Sequence, residues 1–421
     1  MCKVIMIGCD LHDATTVLKV ADGPDATVRK GFATSNRSAM IEWVKDFASQ
    51  RGAVRIVFAY EASGQGFGLY DDLTDAGIEC HVLAPTHLPH TTHSRKNKTD
   101  DKDALMILDE VRAHVLAGRT LPDVWVPNHQ TRDDREIVRL RLEVATQRTR
   151  LKNQIRNLAK RSRLAFPDDF TSSGDWSKRS VAWLREVATG KTGALREGVR
   201  TALASLVELY QAMSVRIQAL DQAIKRLSRT ERYAQSYRKL KLLSGVGTLT
   251  AMVFLTELGD LARFANRRQL AAYLGLAPSA FESGERDDRK GHITKQGPQR
   301  VRHVLCQAAW AALRVSPEWR AKYDRIRRGS KSRSRIAIVA IMRQLGVEMW
   351  QTARSPELDA MLDERDALAS QKTKKTKKTK KTTSARAPQK GAAPSTPPSP
   401  RPRRGEAEAT ATRKGLARHP E

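Results

Sequence analysis

The 421-residue chain is 40% hydrophobic and carries a formal charge of +29 at pH 7, with an isoelectric point near 10.3. That length suits two to three domains, and a field of that sign favours polyanions such as nucleic acid. No run of eighteen apolar residues occurs, which argues against a membrane-spanning helix. Met1-Cys2-Lys3 leads straight into a strand pattern with no signal-peptide layout, so a cytoplasmic protein is expected.

The first elements alternate between strand and helix. Lys3 to Asp10 and Thr15 to Ala21 read as strands, Asp22-Gly23-Pro24-Asp25 as a turn, and Thr27 to Phe32 as a third strand. Asn36 is placed to cap a helix whose apolar positions Met40, Ile41, Val44 and Phe47 follow helical spacing. Arg55 to Glu61 is a short buried strand, Gly68 to Ala76 a helix ended by Gly77, and Ile78 to Ala84 another strand. Three antiparallel strands followed by alternating helix and strand is the order of a ribonuclease-H-like α/β domain, although other α/β folds share such strings.

From about Leu121 the pattern turns helical. Arg132 to Arg163 reads as one long helix in which Asp133-Asp134-Arg135-Glu136 gives way to Ile137, Leu140, Val144, Leu151, Ile155 and Leu158. Its cations Arg141, Arg148, Arg150, Lys152, Arg156, Lys160 and Arg161 either track phosphates or form a solvated face. A second long helix, Val199 to Ser228, carries Leu203, Leu206, Leu209, Met213, Ile217, Leu220, Ile224 and Leu227 near heptad spacing. Loop signals lie between them, Phe166-Pro167-Asp168-Asp169 and Thr171-Ser172-Ser173-Gly174. The pair forms either an antiparallel hairpin within the chain or a coiled coil with another subunit.

A third, mainly helical region follows from Tyr237. The last fifty residues are Lys-Lys-Thr and Pro/Ser/Ala-rich, a composition that is expected to be disordered. From Gln371 onward, 15 Lys/Arg face 3 Asp/Glu, so the tail holds +12 of the excess and the first 370 residues the remaining +17. The expected division is 1–120 for the α/β domain, 121–236 for the long helices, 237–360 for the C-terminal domain and 361–421 for the basic tail.

Four carboxylates carry the chemistry. Asp10 ends the run Val4-Ile5-Met6-Ile7-Gly8-Cys9, and Glu61 ends Ile56-Val57-Phe58-Ala59-Tyr60. Asp100 and Asp103 open a helix in Lys98-Thr99-Asp100-Asp101-Lys102-Asp103-Ala104-Leu105. A charge closing a buried strand is costly unless it is paired or binds metal. Phosphodiester chemistry suits such a set, because two Mg²⁺ ions about 3.5–4 Å apart activate the attacking oxygen and neutralise the leaving one. Asp100 and Asp103, three apart, share a helix face, and Asp101 points elsewhere. The bland alternative is that these are helix N-terminal and strand-end residues favoured by local dipoles. The four cysteines Cys2, Cys9, Cys80 and Cys306 form no C-x-x-C pair, which argues against disulfides and a structural zinc site. His81, His87, His90 and His93 cluster but lack the rigid spacing of a metal site.

In the third region, Leu243-Ser244-Gly245-Val246-Gly247-Thr248-Leu249-Thr250-Ala251 places a G-x-G turn between apolar helices, beside Arg238, Lys239 and Lys241. It is either a helix-hairpin-helix that brings backbone N–H groups to a phosphate or an ordinary helix–helix turn. Further on stand Tyr273-Leu274-Gly275-Leu276-Ala277-Pro278, Glu282-Ser283-Gly284-Glu285-Arg286 and Lys290-Gly291-His292-Ile293-Thr294-Lys295-Gln296-Gly297. Ser283, in a polar loop near Arg286, Lys290, Thr294 and Lys295, can attack phosphorus if a base or metal activates it, whereas most Ser-Gly pairs are turns.

Two motif blocks together resemble the DEDD transposases of the insertion-sequence family of bridge-RNA-guided recombinases, which includes the Piv-type invertases. One block is Asp10, Glu61 and Lys98-Thr99-Asp100-x-x-Asp103-Ala104. The other is Gly-Leu-x-Pro followed by Ser283-Gly284 and Gly291-His292-Ile293-Thr294-Lys295-x-Gly297. The resemblance covers about residues 1–350. It implies an N-terminal RuvC-like (ribonuclease-H-like) domain, a coiled coil, and a C-terminal transposase domain acting on double-stranded DNA. It also implies Asp10, Glu61, Asp100 and Asp103 as Mg²⁺ ligands and Ser283 as the nucleophile that forms a transient phosphoserine link, with Ser279 a weaker rival. A guide RNA and a homo-oligomer are implied too, Ser283 of one subunit working beside the carboxylates of another. The alternatives are a Holliday-junction nuclease in which water attacks, and a non-enzymatic basic protein that packages nucleic acid.

Overall fold

The computed structural model describes residues 3–88, 99–167, 176–193, 195–280 and 290–365. Contacts divide the chain into two units, Met1–Ser355 and Pro356–Glu421. In the second, residues 356–365 are helical. Among the described residues, no helix is long and apolar enough to cross a membrane.

The first unit begins with a five-stranded sheet: β1 (Val4–Leu11), β2 (Thr15–Ala21), β3 (Val28–Ala33), β4 (Arg55–Glu61) and β5 (Glu79–Leu83). Its order is β3-β2-β1-β4-β5. The β1–β2 and β2–β3 pairs are antiparallel, and β1–β4 and β4–β5 are parallel. The mixed sheet is that of a ribonuclease-H-like domain, as the element order suggests. β1 and β4 are covered on both faces, which is why they read as continuous apolar runs. On one face Ile5, Ile7, Cys9, Phe58 and Tyr60 pack with Met40, Val44 and Phe47 of α1 (Arg37–Gln50) and Leu69 and Leu73 of α2 (Gly68–Asp75). On the other, Met6, Val57 and Ala59 pack with Ile107, Leu108 and Val111 of α3 (Asp100–Ala117). Asn36 caps α1 by accepting from Ala39 N at 3.3 Å, as its position predicts.

Gly8 sets how closely α3 lies on the sheet. A Cβ added there would overlap the backbone of Ala104 and Leu108, so only glycine leaves room. Beyond β5 the chain runs along the outer edge of that strand, with Ala84 N donating to Pro122 O (2.9 Å) and Val124 N to Val82 O (2.7 Å).

Helix α4 (His129–Arg161), capped by Asn128, then leaves the sheet domain and changes partner along its length. In its first turn Arg132 makes two bonds to Asp71 of α2, at 2.6 and 2.8 Å. Next it meets α7 (Glu231–Leu240) and α8 (Thr248–Leu258). Asp134 accepts two bonds from Arg232 and one from the Tyr233 hydroxyl, all at 2.8 Å. Arg135 donates to the carbonyls of Thr256 and Glu257, and Arg139 pairs with both carboxylate oxygens of Glu257 at 2.8 and 2.9 Å. Farther along, α4 packs antiparallel on α6 (Glu197–Leu227) within the same chain. Arg141 pairs with Asp221 near one end, and Ile155 meets Leu203, Val207 and Tyr210 near the other. The short helix α5 (Lys178–Ala188), which sequence periodicity did not single out, closes that end with Val181, Leu184 and Val187.

These changes of partner correct parts of the sequence reading. Leu140 is 50% exposed and Leu209 49% exposed, although both were counted in apolar stripes. Asp134 and Arg135, read as part of a polar helix start, are buried because their partners arrive from α7 and α8. In α6 the buried positions Leu203, Tyr210, Ile217 and Ile224 recur every seven residues.

The C-terminal part surrounds α8, whose residues Thr250–Leu258 are all buried. Around it stand α9 (Arg267–Tyr273), α10 (Gln299–Val315), α11 (Pro317–Arg327) and α12 (Ser334–Arg354), with a two-stranded ribbon of β6 (Pro278–Ala280) and β7 (Lys290–Ile293). Gly8→Ala should cost about 1–3 kcal/mol in urea unfolding through overpacking. Gly31→Ala, where nothing lies within 4 Å, should stay within about 0.5 kcal/mol. Asp134→Ala strands a buried tyrosine hydroxyl and a guanidinium. It should cost about 3 kcal/mol, the lower end for broken buried pairs because Arg232 is 35% exposed; the same unfolding experiment measures it.

Candidate active site

Parallel pairing of β1 with β4 runs to Cys9↔Tyr60, so the next residues, Asp10 and Glu61, stand side by side at the carboxyl edge of the sheet. Strand alternation puts Asp10 on the face of Met6 and Gly8, and Glu61 on the face of Val57 and Ala59, which is the face covered by α3. Thr99 caps α3 by accepting from Lys102 N (3.4 Å), and the first turn presents Asp100 and Asp103. Because Gly8 admits the helix backbone, that turn reaches the strand end. Asp101 turns away to Lys19 (3.0 Å) and Arg29 (2.8 Å) on the β2–β3 side.

At this edge the acidic groups meet a histidine. His12 Nε2 lies 2.9 Å from Asp10 Oδ2 and 3.4 Å from Asp100 Oδ1, and the three residues' ligand atoms all fall within 4.8 Å of one another. Asp103 and Glu61 stand outside that tight group. Burial raises the Asp10 carboxyl above the ordinary carboxylate range; His12 opposes the shift, and the charges of Asp103 and Asp100 add to it. Asp10 Oδ2 is enclosed and, among the described residues, has His12 Nε2 as its near partner. An enclosed anionic oxygen among further carboxylates fits a hard divalent cation, which takes oxygen ligands and relieves the repulsion.

A second cluster, Glu79, His81 and His114, does not fit a metal. His81 Nδ1 faces Asp123 at 2.9 Å and Nε2 faces Glu79 at 3.2 Å, so both ring nitrogens are committed to carboxylates. The hydrogen bond to Asp123 raises the His81 pKa, and Arg55 grips Glu79 with two bonds at 2.7 and 2.8 Å. The group ties β5 to the chain that follows it. His87 ends a 3-10 turn after β5, while His90 and His93 lie outside the described residues. Cys9, Cys80 and Cys306 are free thiols.

The C-terminal motif is built on touching backbones. Gly275 (φ +65°) and Gly297 (φ +73°) are where residues 273–275 meet residues 295–297, and a Cβ on either would overlap the opposite chain. Arg302 Nη1 fastens the contact by donating to the carbonyls of Leu274 (3.2 Å), Gln296 (2.8 Å) and Gly297 (3.1 Å). Lys290 opens β7, Thr294 N donates to Ala277 O at 3.0 Å, and Lys295 adopts φ +57°. Ser279 Oγ donates to His292 O at 2.8 Å across the ribbon. Ser283 and Arg286 lie outside the described residues.

Gly245 (φ +81°) presses against the backbone of Ala308 and Ala312 in α10, which accounts for it by packing. Gly247 is the exposed N-cap of α8. On α4, Lys152 and Arg156 sit over the Trp176 ring, at 5.3 and 5.6 Å from its centroid, and Arg148 is half-buried.

Sequence reasoning passed over three features. Gly8 and His12 flank Asp10 by two residues on either side: alternation along β1 puts Gly8 on the face of Asp10, and His12, just past the strand end, reaches the same carboxylate. The third is the turn from α11 to α12, where Arg325, Arg327, Arg328, Lys331, Arg333 and Arg335 occur with no carboxylate among them. Arg328 (φ +51°) and Gly329 (φ +70°) reverse the chain there, and Nε of Arg327 and of Arg333 makes no hydrogen bond among the described residues.

Comparison with known proteins bears on the family of the chain. Residues 7–162 match a transposase family model of the DEDD IS110 type, and residues 237–324 match one described as "Transposase IS116/IS110/IS902 family". A Sinorhizobium fredii protein whose name, y4qE, carries a provisional assignment as a transposase is 29% identical over 380 residues, 83% of this chain and 88% of its own. The transposase for insertion sequence element IS1111A of Coxiella burnetii is 25% identical, covering 60% of this chain and 65% of its own. The transposase for insertion sequence element IS1533 of Leptospira borgpetersenii is 22% identical, covering 74% and 86%. With both family models on one chain, over the sheet that gathers the carboxylates and over the helices around α8, this protein belongs to the IS110/IS116/IS902 family as a DEDD transposase, an enzyme that cuts DNA.

Proposed function

We propose that this transposase mobilises its insertion sequence by cutting and rejoining DNA strands with a carboxylate-held divalent ion, Mg²⁺ in the cell, and a serine nucleophile. The observation that carries the reading is the meeting of Asp10 with Asp100, close enough to Asp103 to feel its charge, at the strand end that also bears Glu61. In this reading Asp10, Glu61, Asp100 and Asp103 hold the ions. When bound, the metal supplies charge neutralisation at the scissile phosphate and lowers the pKa of a bound oxygen nucleophile. Ser283 Oγ gives its proton to solvent and attacks phosphorus: one P–O bond to serine forms, the P–O bond to the leaving sugar oxygen breaks, and that oxygen takes up a proton from solvent. A DNA hydroxyl later reverses the exchange, so no strand is lost to hydrolysis.

The remaining assignments follow the same reading. Residues 1–120 are the catalytic domain, 121–236 a coiled-coil spacer, 237–360 the transposase domain and 361–421 a basic tail. Gly247 at the start of α8 offers free backbone N–H groups to a phosphate in a helix-hairpin-helix, with Gly245 shaping the turn. Lys290, Thr294 and Lys295, with Arg286, line the DNA near Ser283; Arg148, Lys152 and Arg156 face a structured guide RNA or DNA. The active unit is a homo-oligomer. The Holliday-junction alternative uses the same carboxylates without a covalent link, whereas passive packaging gives the carboxylate cluster no role.

Ser283→Ala should abolish both recombination and the covalent protein–DNA adduct trapped on a denaturing gel, while Asp10→Asn should reduce strand cutting to background. Full recombination by Ser283→Ala would end the serine mechanism in favour of attack by water. The turn between α11 and α12 adds a DNA-backbone surface to this reading. Replacing Arg328, Lys331 and Arg335 together by alanine should weaken DNA binding of every sequence alike and make the slope of log K against log salt shallower by about 2–3; a filter-binding salt titration reads it.

A further inference from the structure

We infer that His12 is a further ligand of the carboxylate metal site, through Nε2, and that its nitrogen tilts the site toward Mn²⁺ over Mg²⁺. The inference rests on the carboxylates holding a divalent ion, as proposed above, and adds a residue outside the four acids. Leu11, the last residue of β1, is buried on the face opposite α3, and His12, just past the strand end, lies on the side of Asp10, 2.9 Å from its carboxylate. The backbone of His12 is pinned rather than free. Its N–H donates to Thr15 O at 3.0 Å, and its carbonyl accepts from Thr34 Oγ1 at 2.6 Å. Thr34 is itself buried and bonded to Thr16 (3.2 Å).

The spacing is that of neighbouring ligands on one ion. Octahedral ligands at about 2.1 Å from a cation lie about 3 Å from each other along an edge. Nε2 stands 2.9 Å from Asp10 Oδ2 and 3.4 Å from Asp100 Oδ1, both close to that edge. The Asp10 oxygen it faces is enclosed and, among the described residues, has His12 Nε2 as its near partner, so a cation between the two would be held by both. Mg²⁺ prefers oxygen donors, whereas imidazole suits first-row transition ions. One nitrogen among carboxylates therefore discriminates between the two metals. The competing reading is a simple ion pair, in which His12 substitutes for the cation and swings out when one binds.

The experiment loads the full chain with one equivalent of Mn²⁺ and reads electron spin echo envelope modulation, which reports ¹⁴N bound to the metal. Mn²⁺ and Mg²⁺ affinities are measured alongside. Wild type should show an imidazole ¹⁴N coupling that His12→Gln removes. Mn²⁺ affinity should fall by at least about tenfold, the lower bound for losing even an outer partner of a ligand, and Mg²⁺ affinity by less. Asp10→Asn separates the two levels of the argument. If Mn²⁺ binding depends on Asp10 but wild type lacks the ¹⁴N coupling, or His12→Gln keeps it, the His12 assignment is wrong and the carboxylate site stands. If the wild type binds no Mn²⁺, or Asp10→Asn binds it unchanged, the carboxylate site itself is wrong. Unfolding midpoints without metal confirm that each variant is folded.

Discussion

Everything at the acidic edge of the sheet depends on how near α3 can come to β1. The helix rests its backbone on Gly8, and the acids at its start gain their place from that contact. A side chain at Gly8 would move the helix outward, and with it Asp100 and Asp103. The carboxylates repel one another, and burial makes the charge on Asp10 costlier still. No attraction among the acids assembles them. Packing elsewhere does so, through Ile107, Leu108 and Val111 against Met6, Val57 and Ala59. The site is therefore strained by its own charge and ready for a cation, which is how hydrophobic burial is converted into metal affinity.

A second dependence runs through the start of α4. Within three turns this helix grips the sheet domain through Arg132 and Asp71, then the C-terminal helices through Asp134, Arg135 and Arg139. Bidentate arginine–carboxylate pairs fix direction as well as distance. Trp125, just before the helix, adds to the joint, with Arg263 4.7 Å and Arg135 5.6 Å from its ring. The part that carries the acids and the part that carries the ribbon thus hold one orientation in the isolated chain.

Much of this was legible in the sequence because it is local. Strand alternation and the Asn36 cap lie within a few residues, as do the acids that close β1 and β4, and the fold follows them. What stayed hidden depends on distant partners. Asp134 and Arg135 look like solvated helix-start residues until Arg232, Tyr233 and Thr256 arrive from about a hundred positions away. Leu140 and Leu209 fit a stripe by spacing, yet each helix turns a different face to each neighbour. His12 lies one residue past the end of β1, where strand periodicity no longer fixes a side chain, so its place beside Asp10 depends on the turn to β2. Gly245 is legible as a turn glycine, but its close approach to Ala308 and Ala312 of α10 is not, since those residues lie more than sixty positions on.

The sevenfold recurrence of Leu203, Tyr210, Ile217 and Ile224 in α6 makes that helix a ruler with coarse graduations. Each residue added to an α-helix advances it by about 1.5 Å but also rotates it by about 100°. Both ends of α6 are committed, one to α5 and the other to the C-terminal core. Losing or gaining one residue would turn one committed face into solvent. Steps of about seven residues, roughly 10 Å, or of about eleven, roughly 16 Å, come within about 20° of restoring both. A change in the length of this hairpin therefore comes in jumps and not by drift, so the reach of whatever it spans is quantised.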